Sequence, residues 1–145
     1  MQAIQDKIAL KHLVDTFANL ADEKRVHDQM TLFTPDAHVI TYADGVIIVD
    51  AHGRDEIEKG FSDYIASAKA LYHLNGQQTI EQLNNENAKG ICYSQATLLR
   101  EVEGKTMIQV IYARYHDTYV KANGNWLIAE RIATFMINEN REFGK

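Results

Sequence analysis

The sequence contains one cysteine and no long apolar segment, and each scarcity excludes a class of protein. Because a disulfide needs two cysteines, Cys92 cannot form one within the chain, and we expect a protein of the reducing cytoplasm. The longest apolar runs, such as residues 46–49, are far too short to span a bilayer, so we expect no membrane association. The first residues carry acid early and no extended apolar stretch, so we also expect no secretory signal.

Basic residues are fewer than acidic ones. The chain has 15 Lys and Arg against 20 Asp and Glu, with a net charge of −5. No basic stripe interleaved with aromatic residues is present, which argues against nucleic acid as a partner. The histidines lack the close spacings of common metal sites, so we expect no metal and no cofactor. They lie at positions 12, 27, 38, 52, 73 and 116.

The 145 residues fit one domain, residues 1–145, which would bury roughly 70% of its unfolded surface. Apolar residues recur at helical spacing over residues 3–21, and a second short helix is predicted over 26–33. Pro35 should end that helix, because the residue before a proline avoids helical geometry. A third helix opens at Gly53 with two acids in its first turn, and its apolar face continues to Ala68 and Leu71.

Strand patterns surround the third helix. Residues 38–42 alternate, and a turn at 43–45 leads into residues 46–50, which predicts a hairpin. From residue 72 onward the helical period is absent and long strands follow, including 88–102 and 105–121. This order predicts the α+β class, with a curved antiparallel sheet and three N-terminal helices packed into its concave side. Both faces of strand 105–121 are half apolar, so we expect a homodimer that covers the outer face of the sheet.

Two ionisable residues stand out as candidates for chemistry. Asp22 ends the first amphipathic helix, and His73 lies in a later strand on the same face as Asn75 and Gln77. That polar row is either a solvated face or the lining of a cavity. If Asp22 and His73 converge, they form a general acid/base pair, since a carboxylate on one ring nitrogen fixes the tautomer and the other nitrogen moves the proton. Asp117 is interpreted as a structural partner of Arg131 or Arg114.

Several segments together resemble the SnoaL-like branch of the nuclear transport factor 2-like superfamily, which includes polyketide cyclases, scytalone dehydratase and, more distantly, ketosteroid isomerase. The resemblance covers almost the whole chain in the expected order, and the motifs are more specific for fold than for reaction. They are Phe17 to Asp22, residues 32–37, Gly53-Arg54-Asp55-Glu56-Ile57, His73-Leu74-Asn75, residues 113–117 and residues 123–131.

The resemblance implies a cone-shaped α+β barrel with one apolar pocket, commonly dimeric through the sheet. In the dehydratase-like members an acid after the first helix orients a pocket histidine, and Asp22 and His73 match those positions. Tyr42 resembles a tyrosine that polarises a substrate oxygen. The chain departs from scytalone dehydratase at Ala21, around Ser94 and at Tyr115, so that enzyme's substrate is not carried over.

From these observations we expect a cofactor-free lyase or isomerase that acts on a small hydrophobic hydroxy-carbonyl compound. Asp22, His73 and Tyr42 are its candidate catalytic residues. Two alternatives stay open. One is a ligand-binding or dimerising module without catalysis, and the other is a structural subunit like the β chain of ring-hydroxylating dioxygenases. The candidate substrate-binding residues are Tyr115, Asn75, Phe17 and Ile111.

Overall fold

Three α-helices lie on one side of a curved sheet of six strands in a computed structural model that describes all 145 residues. None of the helices is long and apolar enough to cross a membrane. The helices are α1 (Gln2–Asp22), α2 (Val26–Gln29), which runs into a 3₁₀ turn (Met30–Leu32), and α3 (Gly53–Ile65). The strands are β1 (Phe33–Ala43), β2 (Val46–His52), β3 (Ala68–Leu83), β4 (Asn87–Val102), β5 (Lys105–Ala122) and β6 (Asn125–Glu142).

The strand order in the sheet is β2-β1-β6-β5-β4-β3. The predicted α+β class is confirmed, and so is the hairpin of β1 and β2. The expectation of an entirely antiparallel sheet is wrong, because β1 pairs with β6 in the parallel sense. Turn signals in the sequence predict antiparallel neighbours only. A parallel neighbour needs a long connection, and here α3 and four strands lie between β1 and β6.

Two predicted helix ends are shifted. The second helix stops at Gln29 and tightens into the 3₁₀ turn, so Phe33 already belongs to β1 rather than to the helix. The third helix stops at Ile65, and a turn at residues 66–67 leads into β3. Ala68 and Leu71 are therefore strand residues. Their spacing fits a helical face, but the same apolar residues pack in the sheet instead.

The first turns of α1 are fixed to the far end of the sheet by a buried polar cluster. Asp6 accepts a hydrogen bond from Trp126 Nε1 at 3.0 Å and lies 2.9 Å from Lys121 Nζ. These hydrogen bonds lower the pKa of Asp6, with Lys121 as the largest cause and Trp126 next. Trp126 is buried. Cys92 is also a core residue, and burial raises the pKa of its thiol to about 11.

The two faces of β5 have different environments. Ile111, Ala113, Asp117 and Tyr119 point to the concave side and are buried. On the other side of the sheet, β5 and the other long strands leave large apolar side chains exposed, among them Tyr72, Leu74, Tyr93, Tyr112 and Ile137. The concave side therefore carries the core and a cavity, and the convex side carries an uncovered apolar surface.

Candidate active site

A cavity of about 380 Å³ lies between the helices and the concave face of the sheet. Of its 22 lining residues, 17 are hydrophobic. Four others carry polar side chains, namely Gln29, Thr41, His73 and Arg131. A pocket that is mostly apolar with a few convergent polar groups is the usual form of a small-molecule site.

His73 and Asp22 are in direct contact at the cavity wall. Nδ1 of His73 lies 2.6 Å from Asp22 Oδ1, and the backbone N–H of His73 donates to Asp22 Oδ2 at 3.0 Å. Because a carboxylate only accepts, Nδ1 carries the proton in this contact and Nε2 is left for a ligand. Both side chains are largely shielded, with 16% of His73 and 28% of Asp22 exposed. The predicted hydrogen bond between the two residues is therefore present.

The pair forms where the end of α1 meets the beginning of β3. The chain leaves α1 through Lys24, whose φ of 58° reverses its direction, and Lys24 Nζ donates to the carbonyl of Ala68 at the start of β3. Further along β3, Asn75 Nδ2 donates to the Val14 carbonyl at 3.1 Å and to Asp15 Oδ1 at 2.9 Å. These contacts fix β3 along α1 and so hold the imidazole against the Asp22 carboxylate.

Asn75 is not on the cavity, which corrects its predicted role in substrate binding. Its amide is used on α1 instead. Gln77 does not continue the polar row, because the pairing of β3 with β4 shifts between Asn75 and Gln78. Gln78 takes the inward position and donates to the Leu10 carbonyl at 3.2 Å. The row is therefore neither a solvated face nor a continuous cavity lining, and only His73 reaches the cavity.

The floor of the cavity contains a buried ion pair. Arg131 Nε and Nη2 donate to the two oxygens of Asp117 at 2.8 and 2.9 Å, and Tyr119 donates to the same carboxylate at 2.7 Å. The predicted pairing of Asp117 with Arg131 is confirmed. Burial alone would lower the pKa of Arg131, but the Asp117 carboxylate outweighs burial and raises it, so the guanidinium stays charged.

Aromatic rings cover both sides of the Arg131 guanidinium. Its central carbon lies 4.0 Å from the ring centre of Tyr115 and 4.7 Å from that of Phe17. Both rings line the cavity, and so does Ile111, while their role in substrate binding stays a prediction. Burial raises the pKa of Tyr115, so its hydroxyl keeps its proton and can donate a hydrogen bond. The two bonds to Asp117 leave Nη1 of Arg131 for a ligand.

The sequence of this domain matches the profile of the SnoaL-like domain over residues 2–132. The chain belongs to that family. Among curated proteins, none matches it with significant similarity. The predicted resemblance is thus confirmed for family and fold.

Solved structures with the same fold include three that carry informative names. A candidate scytalone dehydratase from Novosphingobium aromaticivorans has a TM-score of 0.83 and 20% identity over 94% of this chain and 88% of that one. Hexachlorocyclohexane dehydrochlorinase LinA-type3 from Novosphingobium barchaimii has a TM-score of 0.79 and 13% identity over 99% and 94%. The β subunit of a candidate aromatic-ring-hydroxylating dioxygenase from N. aromaticivorans has a TM-score of 0.78 and 15% identity over 93% and 92%. At these identities the likeness shows the fold alone.

In this SnoaL-like domain, Tyr42 does not have the predicted cavity position. Its neighbours Val39 and Thr41 line the cavity, and side chains alternate along a strand, so Tyr42 points to the opposite face of β1. Sequence reasoning also missed Arg131 and Gln29 as cavity residues. Alternation from the buried Trp126 and Ile128 would turn Arg131 outward. The pairing of β5 with β6 skips Ala129, and this one-residue shift turns Arg131 inward.

Proposed function

We propose that this SnoaL-like domain is a small-molecule lyase or isomerase that performs acid/base chemistry on a small hydrophobic hydroxy-carbonyl compound. The observation that carries the proposal is the 2.6 Å contact of His73 Nδ1 with Asp22 at the wall of an apolar cavity. The groups at this wall and floor are sufficient to move one proton and to polarise one oxygen, which is all that such a reaction needs.

His73 is the proposed proton carrier. With Nδ1–H donated to Asp22, the neutral ring has its lone pair on Nε2, which can accept a proton from the carbon next to a substrate carbonyl. The electron pair of the broken C–H bond moves into a carbon–carbon double bond or an enolate. In a dehydration the imidazolium returns the proton to the departing hydroxyl and water leaves. In an isomerisation the proton returns to a different carbon.

Arg131 and Tyr115 are the proposed stabilisers of the negative charge that develops on the substrate oxygen. The guanidinium is charged and held in a fixed orientation by Asp117, and its Nη1 is left for a ligand. The ring of Tyr115 lies against this guanidinium, and its protonated hydroxyl is the second proposed donor. Donors fixed in place within a water-poor cavity stabilise such charge more than the same groups do in water. The proposal therefore replaces the predicted role of Tyr42 with these two residues.

The size and lining of the cavity favour a compact hydrophobic substrate. About 380 Å³ lies toward the lower end of the range for small-molecule pockets, which is roughly 300–1,000 Å³. The aromatic side chains of Phe17 and Phe61 line one side and pack edge to face, with ring centres 5.9 Å apart. A cyclic compound with one hydroxyl or carbonyl group fits this combination of rings and few polar partners.

The test is turnover and proton exchange with a panel of hydroxy-ketones and enones in D₂O. Wild-type protein should release water, move the double bond or introduce deuterium next to the carbonyl. His73→Ala and Asp22→Asn should lose this activity while circular dichroism shows a folded chain. The matched control is His27→Gln, because His27 also contacts a carboxylate, Glu58, at 2.9 Å but lies on the surface. Equal activity of His73→Ala and His27→Gln would contradict the proposal.

The alternative without catalysis is a ligand-binding or dimerising module. The predominance of hydrophobic lining residues also suits a binding role. Wild-type protein that binds hydrophobic probes but converts no member of the panel would favour this alternative. The dioxygenase-subunit alternative would be favoured by co-purification with a larger iron-bearing chain.

We also propose that the domain forms a homodimer through the convex face of the sheet and works in the cytoplasm. The exposed Tyr72, Tyr112 and Ile137 support a covered face, since monomers seldom expose so much apolar surface. Light scattering should give a molar mass of twice that of one chain, and Tyr112→Glu should lower this mass toward that of a single chain. A monomeric wild type at micromolar concentration would contradict the dimer. The single cysteine supports the proposed cytoplasmic location, which cell fractionation tests.

A further inference from the structure

A second group of histidine and carboxylate side chains lies on the hairpin of β1 and β2, away from the cavity lining. His38 Nε2 and His52 Nε2 both approach the same oxygen, Asp50 Oδ1, at 2.7 and 3.0 Å. The two imidazole rings stack with their centres 4.2 Å apart and their planes 9° apart. On the other side of His38, Nδ1 lies 3.2 Å from Glu130 Oε2.

An irregularity in the hairpin brings these residues onto one face. In the pairing of β1 with β2, Thr41 faces Val49 and Tyr42 faces Ile47, so Ile48 is an extra residue. As a result His38 pairs with His52, whereas a regular hairpin closed by the same turn would pair His38 with Ala51. This shift is also the reason why histidine spacing along the sequence gave no sign of a cluster.

The hydrogen-bonding capacity of His38 is the decisive observation. A neutral imidazole has one N–H, and a carboxylate can only accept. Both nitrogens of His38 face carboxylate oxygens, one of Asp50 and one of Glu130. With Nδ1–H donated to Glu130, the lone pair of Nε2 points at Asp50 Oδ1. That contact is favourable only if a cation, either a proton or a metal ion, lies between the two atoms.

We propose that His38 Nε2, His52 Nε2 and Asp50 Oδ1 form a binding site for a divalent transition cation of the zinc type. Two imidazoles and one carboxylate are a common ligand set for zinc, with the fourth position open to water or to a ligand. The candidate ligand atoms lie within 4.8 Å of one another. Tetrahedral coordination at 2.0–2.1 Å places ligand atoms roughly 3.3 Å apart. Because the two rings are stacked nearly parallel, at least one ring must rotate before both Nε2 lone pairs point at one ion, and His52, at 66% exposure, has room to do so.

Glu130 completes the arrangement as a positioning residue. Metal-bound histidines usually donate their second ring N–H to a carboxylate, which fixes the ring and strengthens its lone pair. Glu130 has this relation to His38, and it comes from β6 rather than from the hairpin. A bound ion would therefore connect β2 and β1 directly, and β6 through Glu130. The side chains are accessible for loading, since His52 is 66% exposed and Asp50 is 49% exposed.

The experiment is zinc titration of the purified chain by calorimetry, with Co²⁺ absorption as a second readout. Wild-type protein should bind one zinc ion per chain, gain thermal stability and give the intense visible bands of tetrahedral Co²⁺. His52→Gln should remove the saturable binding and the Co²⁺ bands, and Glu130→Gln should weaken binding by roughly 10- to 100-fold. His52 is mostly exposed, so the substitution leaves folding intact.

The matched control is again His27→Gln, which removes a surface histidine beside a single carboxylate and should leave zinc binding unchanged. No saturable zinc binding by wild-type protein would overturn the proposal and would mean that only a proton occupies the contact. Equal zinc binding by wild type and His52→Gln would also overturn it, because the ion would then be held elsewhere. None of these readouts depends on catalytic activity.

Discussion

The molecule contains two sets of histidine and carboxylate side chains that share the same chemistry and differ in their surroundings. At the cavity, His73 has one carboxylate, Asp22, and is 16% exposed. On the hairpin, His38 has two carboxylates, lies beside His52, and the group as a whole is much more accessible. One carboxylate leaves a ring nitrogen for a substrate, whereas two carboxylates call for a cation on the second nitrogen. The number of acceptors around the ring is therefore what distinguishes the proposed proton-transfer site from the proposed cation site.

The largest effect is expected from removing the imidazole of the cavity set. His73→Ala should lower turnover by about 10²- to 10⁴-fold, the usual contribution of a positioned general base. Asp22→Asn should cost less, because the carboxylate only orients the ring and stabilises its charged form. Turnover rates measured for both variants show which substitution causes the larger loss. A larger loss from Asp22→Asn would assign the proton transfer to the carboxylate instead.

The next largest effect is expected from the ion pair below the cavity. Asp117→Asn leaves the buried charge of Arg131 without its partner, which should lower the free energy of unfolding by about 3–5 kcal/mol. Chemical denaturation measures this loss directly. Denaturation of Asp22→Asn under the same conditions is the control, because Asp22 is partly exposed and its loss should be much smaller. Equal losses would mean that burial does not distinguish the two carboxylates.

A smaller and pH-dependent effect is expected at the end of α1. The pKa of Asp6 is lowered in the folded chain by Lys121 and Trp126, so the folded state favours the ionised carboxylate. This contribution is present above the unfolded pKa and is lost as the pH falls through the folded pKa. Asp6→Asn should therefore be less stable than wild type near neutrality, and the difference should shrink in acid. A difference that is constant with pH would show that packing, not charge, is responsible.

The smallest effect is expected from a third histidine–carboxylate contact, His27 with Glu58 on the surface. Its distance of 2.9 Å is similar to those in the other two sets, but 87% of the His27 side chain is exposed. Exposed pairs of this kind contribute little to stability. His27→Gln should leave melting temperature, turnover and zinc binding unchanged. A clear loss in any of the three would mean that distance alone, without burial or a second ligand, determines the role of such contacts.

The contact between Asp22 and His73 could be predicted because it depends only on where the two residues lie in the order of helices and strands. Asp22 ends an amphipathic helix, His73 follows in a strand, and the order of the motifs indicates the fold that joins them. Residues beyond an irregularity in the sheet could not be predicted in this way. Ile48 and Ala129 are extra residues in their pairings, and each reverses the side-chain alternation that follows. Arg131 and two members of the hairpin cluster, Asp50 and His52, lie beyond these points, so strict alternation along the strand would place their side chains on the wrong face.

The parallel pairing of β1 with β6 also has a consequence for how the chain acquires its site. Phe33 pairs with Ile128 and Ala43 with Phe135, so β1 has no neighbour on that side until the last strand has been synthesised. Arg131 arrives on this last strand, long after Asp22 and His73. During synthesis the residues of the proposed acid/base pair are thus made before the proposed charge-stabilising residue, and until β6 is in place the free edge of β1 can recruit other chains. When β6 pairs with β1, it covers that edge and at the same time places the Arg131 guanidinium at the cavity.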